Sequence, residues 1–207
     1  MQKLIIFLII VSSLFSCASI KSTVENSEVI SLANDVDFKL MQPKTYGSNL
    51  GFTQIAEIFS NGSVHELIFQ TQIKNNTITV VGLLPNGTRI FLIEYNGTTI
   101  KSEGYSDVLE GIKPKYLLAD LQLTLWPYKA LMTQGFSNPI CSKIIGCSFI
   151  EKENEKGVYL RTLKVANKDV IEIRYGNTKE IFARLDFHHL KRKYQIKLEL
   201  IDTLEID

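Results

Sequence analysis

The 207-residue sequence predicts a mainly β fold of the α+β kind, an antiparallel sheet carrying one helical insertion, on three observations. Asn-Gly pairs recur between apolar-rich runs at Asn61-Gly62, Asn86-Gly87 and Asn96-Gly97. Both residues of such a pair tolerate the positive φ of a type I′ hairpin turn. Residues 194–200 alternate strictly, with Tyr194, Ile196, Leu198 and Leu200 on one side and Gln195, Lys197 and Glu199 on the other. Mid-chain, Pro114 is followed by Leu117, Leu118, Leu121 and Leu125, which fall on one stripe of a 3.6-residue period. A hydrophobic content of 45% against 22% charged residues is enough for a single-domain core and too apolar for a disordered chain. Lys plus Arg is 23 and Asp plus Glu is 22, so the net charge is +1 and no nucleic-acid partner is expected.

The chain opens with an address. Lys3 precedes an eight-residue apolar run over 4–11, then Ser16 and Cys17. That is the plan of a signal peptide over residues 1–16. The run is shorter than the roughly 20 residues a permanent span needs. Ser16–Cys17 resembles the lipobox of bacterial lipoproteins, with Cys17 the residue that takes the acyl chains, although Phe15 stands where a smaller residue is usual. The plain alternative is an ordinary signal peptide with an incidental cysteine. Ala18 rather than Asp follows Cys17, which by resemblance to lipoprotein sorting implies the periplasmic face of the outer membrane. Residues 17–37 are polar without a sustained period and read as a lipidated tether; 38–207 read as a single β-rich domain.

Within that domain, strands are expected near 51–59, 64–74, 77–84, 88–95 and 98–105, with Asn75-Asn76 as a further turn. The helix begins at Pro114 and stops at Trp126, before Pro127. A shorter helix over 128–134 ends at Gly135. Strands then recur near 157–166, 169–175, 180–187 and 192–201, with turns at Asn167-Lys168 and Gly176-Asn177. Two strands are apolar on both alternating sets: Phe91, Ile93 and Tyr95 against Ile90 and Leu92, and Ile78 and Val80 against Val81 and Leu83. A half-wet antiparallel sheet should alternate apolar with polar, so both faces are expected to be buried. Either a hydrophobic cavity or a filled core then covers the second face.

Reactive chemistry is sparse. His188 and His189 point to opposite faces of a strand, His65 is distant, and no Cys/His spacing suits a metal; no metal site and no cofactor is expected. Neither a nucleophile elbow nor a phosphate loop occurs. Asp107, Glu110 and Asp120 read as solvated carboxylates, and Lys191-Arg192-Lys193 as a solvated turn or strand end, with contact to lipid phosphates as the alternative. If Cys17 is acylated, Cys141 and Cys147 remain, either as a disulfide closing a small loop or as two free thiols. Ile144 and Ile145 lie in that loop, either as an exposed contact or tucked in as a lid.

The run over 113–127, with its Ala-Asp-Leu-Gln-Leu and Trp-Pro elements, together with the Asn-Gly hairpins, resembles an uncharacterised family of bacterial outer-membrane lipoproteins whose genes often lie beside aryl-polyene-type clusters. The order of elements is more distantly similar to the lipoprotein carrier and receptor pair LolA and LolB. That resemblance implies a half-open antiparallel β-barrel capped by helices around a cavity for acyl chains. LolB places a leucine just after a proline on a hairpin loop; in the matching loop Leu83-Leu84-Pro85-Asn86-Gly87 that position is Asn86. The expectation is a monomeric, non-enzymatic carrier or receptor anchored in the outer membrane through Cys17. Its cargo would be an acyl chain, a lipid or a lipidated protein, held by Ile78, Val80, Phe91, Ile93, Leu117, Leu121 and Leu125. The alternatives are a structural or assembly subunit without a cavity, and a hydrolase or acyltransferase.

Overall fold

Positive φ turns the chain where the hairpins were expected. Asn61 and Gly62 lie at 51° and 79°, and Asn75 and Asn76 at 51° and 58°. At the other two sites only the glycines, Gly87 at 83° and Gly97 at 94°, are left-handed. There the preceding asparagine side chains complete the turns: Asn86 Oδ1 accepts from Thr88 N, and Asn96 Oδ1 from Thr98 N and Thr99 N. The computed structural model describes residues 22–26, 29–104, 112–136, 145–176 and 180–206.

Thirteen strands occur among the described residues. They are β1 (Ser22–Asn26), β2 (Val29–Ala33), β3 (Val36–Lys39), β4 (Leu50–Ser60), β5 (Ser63–Lys74), β6 (Thr77–Leu83), β7 (Arg89–Tyr95), β8 (Thr99–Glu103), β9 (Ser148–Asn154), β10 (Gly157–Val165), β11 (Lys168–Tyr175), β12 (Arg184–His189) and β13 (Tyr194–Thr203). Eleven of them form one antiparallel sheet in the order β1-β8-β7-β6-β5-β4-β13-β12-β11-β10-β9. It is two meanders, one from each half of the chain, joined where β13 pairs with β4. The sheet is open: β1 and β9 are its two ends, and among the described residues no pairing joins them. Strands β2 and β3 make a separate hairpin.

One face of the sheet carries helix α1 (Pro114–Leu125), followed by one short turn, α2 (Tyr128–Ala130), and a wider turn over Leu131–Gly135. Pro114 is the first helical residue and Trp126, ahead of Pro127, the C-cap, as the sequence predicted.

Three expectations need correction. The tether over 17–37 contains folded strands at Ser22–Asn26 and from Val29: β1 pairs with β8, and Val29 begins the β2–β3 hairpin. The second face of β6 and β7 is not buried, for Val81, Leu83, Ile90 and Leu92 are only half-buried while Ile78, Val80, Phe91 and Ile93 are in the core. And the buried side of α1 is wider than the leucine stripe. Leu118, Ala119, Gln122 and Leu123 are as buried as Leu117 and Leu125, while Leu121 is half-buried. The chain before β4 supplies the extra cover. Gln122 accepts from Met41 N at 2.7 Å and donates to Met41 O at 2.8 Å, so its amide takes the place of a strand neighbour. Trp126 Nε1 donates to Thr45 Oγ1 at 2.8 Å.

Candidate functional site

The five central strands and α1 enclose an apolar cleft. Alternation along each strand sends residues two apart to the same face. Phe52 and Gln54 of β4, Phe69 and Thr71 of β5, Val80 of β6, Leu185 and Phe187 of β12, and Ile196 and Leu198 of β13 form its floor. The roof is Leu117, Asp120, Leu121, Thr124 and Leu125, one face of α1 at helical spacing. Its free volume is about 40 Å³.

Of the seven residues predicted to hold a ligand, Val80, Leu117, Leu121 and Leu125 line the cleft. Ile78, Phe91 and Ile93 do not; they are core residues. Phe91 supports the lining, its ring edge-on to Phe69 with centroids 5.8 Å apart. Gly82 makes room for it, since a Cβ there would lie 2.1 Å from Phe91 Cε1. Cys147 is disulfide-bonded, and its partner cysteine lies outside the described residues, as do Cys17, Cys141 and Ile144. Ile145 is 93% exposed.

Sequence reasoning assigned Asp120 to a solvated surface, and that is wrong: its side chain forms part of the roof of the cleft and is 4% exposed. Asp107 and Glu110 lie outside the described residues. Tyr194 donates a hydrogen bond to Asp120 Oδ2, whereas Asp120 Oδ1 has no partner among the described residues. Burial pushes the Asp120 carboxyl up to about 7, against the pull of the Tyr194 hydroxyl and the Arg192 guanidinium. Arg192 is no free surface cation either. Its guanidinium lies 3.6 Å above the Tyr116 ring and donates to Ser31 O, tying α1 and β2 to the β12–β13 turn. Its backbone N–H donates to His189 Nδ1 at 3.3 Å. His189 is buried, and desolvation followed by the neighbouring Arg192 lowers its imidazole to about 3, so it is neutral.

The other end of α1 is held by charge. Arg161, 2% exposed, donates through Nη1 to Leu123 O and Thr124 O at 2.6 and 2.8 Å, and Tyr175 donates to Thr124 O at 2.9 Å. These carbonyls are the unpaired end of the helix, where its dipole is negative. Glu151 accepts from Arg161 Nε at 2.6 Å and balances the buried cation. No group of His, Cys, Asp and Glu able to hold a metal occurs among the described residues, and no described helix is long and apolar enough to cross a membrane.

No curated protein matches the chain. A family described as "Protein of unknown function (DUF3261)" matches residues 52–202. That span runs from β4 to β13 and takes in α1 and every strand that lines the cleft. The chain belongs to this family.

Proposed function

We propose that this protein is a lipid-anchored, non-enzymatic carrier or receptor at the periplasmic face of the outer membrane, which takes up acyl chains, lipids or lipidated proteins beneath α1. The observation that carries this reading is the apolar cleft itself, lined by residues of five adjacent strands and one helix face. Preformed, largely apolar concavities with a few placed polar groups are what small apolar ligands occupy. An open antiparallel sheet with a helix over one face also agrees with the half-open barrel implied by the resemblance to LolA and LolB. The free volume of about 40 Å³ is well below the roughly 150 Å³ of a cavity that admits benzene. Loading a chain therefore requires α1 to move off the sheet. The helix is fastened at two ends by polar contacts, Arg161 at one and Tyr194 with Arg192 at the other.

The same small volume favours a second reading, a structural or assembly subunit whose interior is simply core. Native mass spectrometry of protein purified from its own host separates the two. The carrier reading expects a lipid adduct, and uptake of a neutral fluorescent polyene hydrocarbon that Leu121→Asp abolishes, since an unpaired carboxylate in an apolar site costs several kcal/mol. Bare protein that takes up no such probe overturns it in favour of the structural reading.

A further inference from the structure

Three buried side-chain polar atoms lack a hydrogen-bond partner among the described residues: Asp120 Oδ1, His189 Nε2 and Arg192 Nη1. All three gather around Tyr194. Its hydroxyl donates to Asp120 Oδ2, its ring centroid is 5.4 Å from that of His189, and Arg192 bonds to His189 through its backbone. Of the three residues only Asp120 lines the cleft. A buried polar atom without a partner is uncommon in a native protein and costs about 1–3 kcal/mol, so the position of this one, on a residue in the roof of a largely apolar cleft, asks for a partner that comes with the ligand.

We propose that Asp120 Oδ1 is the docking point for a hydroxyl group borne by the apolar ligand, so that the cleft selects hydroxylated chains or long-chain alcohols over plain acyl chains. This rests on the carrier reading above. Above about pH 7 the Asp120 carboxyl is ionised and its oxygens accept only, so the complementary group there is a donor. A ligand carboxylate would set two acids against each other. A ligand ammonium would bury a second cation beside a carboxylate that Arg192 already faces. A hydroxyl satisfies Oδ1 without adding charge, and Leu117, Leu121 and Leu125 on the same helix face then cover the hydrocarbon.

The test, run at about pH 8.5 where Asp120 is ionised, is displacement of a neutral fluorescent polyene hydrocarbon from the purified protein by 1-tetradecanol and by its methyl ether, which keeps the oxygen and loses the donor. The alcohol is expected to displace the probe at least tenfold better. In Asp120→Leu the two competitors should agree within twofold, each measured against that variant's own affinity for the probe. Tyr194→Phe leaves Oδ1 in the cleft and should keep the preference, which guards against a variant that fails to fold. Equal displacement by alcohol and ether in the unmodified protein overturns this inference and leaves the carrier reading standing. No probe binding at all overturns both.

Discussion

Asp120 and His189 are two buried titratable groups shifted in opposite directions, and their effects on stability oppose each other. The Asp120 carboxyl is raised from 3.8 to about 7, so between those values the folded protein holds a proton that the unfolded chain releases. Stability from this group is present below about pH 4 and is lost as pH rises through 7. The His189 imidazole is lowered from 6.5 to about 3, so over that interval the unfolded chain binds the extra proton. Stability from this group is present above 6.5 and is lost as pH falls through 3. Each slope has a limit of about 1.4 kcal/mol per pH unit. Between about pH 4 and 6.5 the two cancel. Relative to unmodified protein, Asp120→Asn should gain stability with rising pH across that window, and His189→Gln should lose it. Denaturant melts at half-unit steps measure both. Parallel curves for all three proteins would mean that neither group is buried in the charge state described.

At the scale of the element, α1 is held by its buried leucines and also by what its end carbonyls meet. Arg161 reaches from β10 to two terminal carbonyls and is neutralised by Glu151 of β9, so a single side chain couples the helix to the last meander of the sheet. Removing one partner of a buried pair leaves a buried charge and costs about 3–5 kcal/mol, whereas replacing both with apolar groups is often near neutral. Arg161→Met should therefore be destabilised by about that amount, and Arg161→Met with Glu151→Leu should recover a large part of it. If the double variant is no more stable than the single one in urea melts, the charge pair is not what the helix end depends on. The rods and hairpins of this fold were legible because Asn-Gly turns, alternation and the Pro114 start are local signals. Strand β1 was not, because its side chains are mostly exposed and it is held by main-chain bonds to β8, which leave no hydrophobic period. Nor were Asp120, Gln122 and Arg161, since a polar side chain is read as facing water unless the distant group that satisfies it is known. For Gln122 that group is 81 residues away and for Arg161 it is 37 and 38. The floor of the cleft was half visible: the pairs Leu185 and Phe187, and Ile196 and Leu198, alternate plainly, yet only the topology brings β12 and β13 beside β4 and β5.

Across the whole molecule, folding of the segment after Cys17 changes where the domain can sit. A free tether over 17–37 would reach up to about 70 Å from a lipid at Cys17. With β1 starting at Ser22, five residues remain, a reach of at most about 18 Å. On the proposed anchor, the β1 edge of the sheet is then held against the membrane surface. That edge also meets the start of α1, where Lys115 Nζ lies 3.9 Å from a Glu25 carboxylate oxygen. On the proposed anchor, the first turn of the helix that roofs the cleft would stand at the membrane side and would be the place for a chain to enter or leave. Val24, 68% exposed on β1, is a place to read this out. A fluorophore on Val24→Cys, with the lipidated protein in vesicles carrying a headgroup quencher, should be strongly quenched. Inserting 20 Gly and Ser residues after Ala18 adds a coil with a root-mean-square span of about 25 Å and should relieve most of that quenching. The insertion should also slow delivery of a bound fluorescent chain to the vesicle while leaving its uptake from solution unchanged, since it alters distance and not the cleft. Quenching that is the same with and without the insertion would show that the short link does not hold this edge at the membrane, and the entry side of the cleft would then have to be sought elsewhere on the sheet.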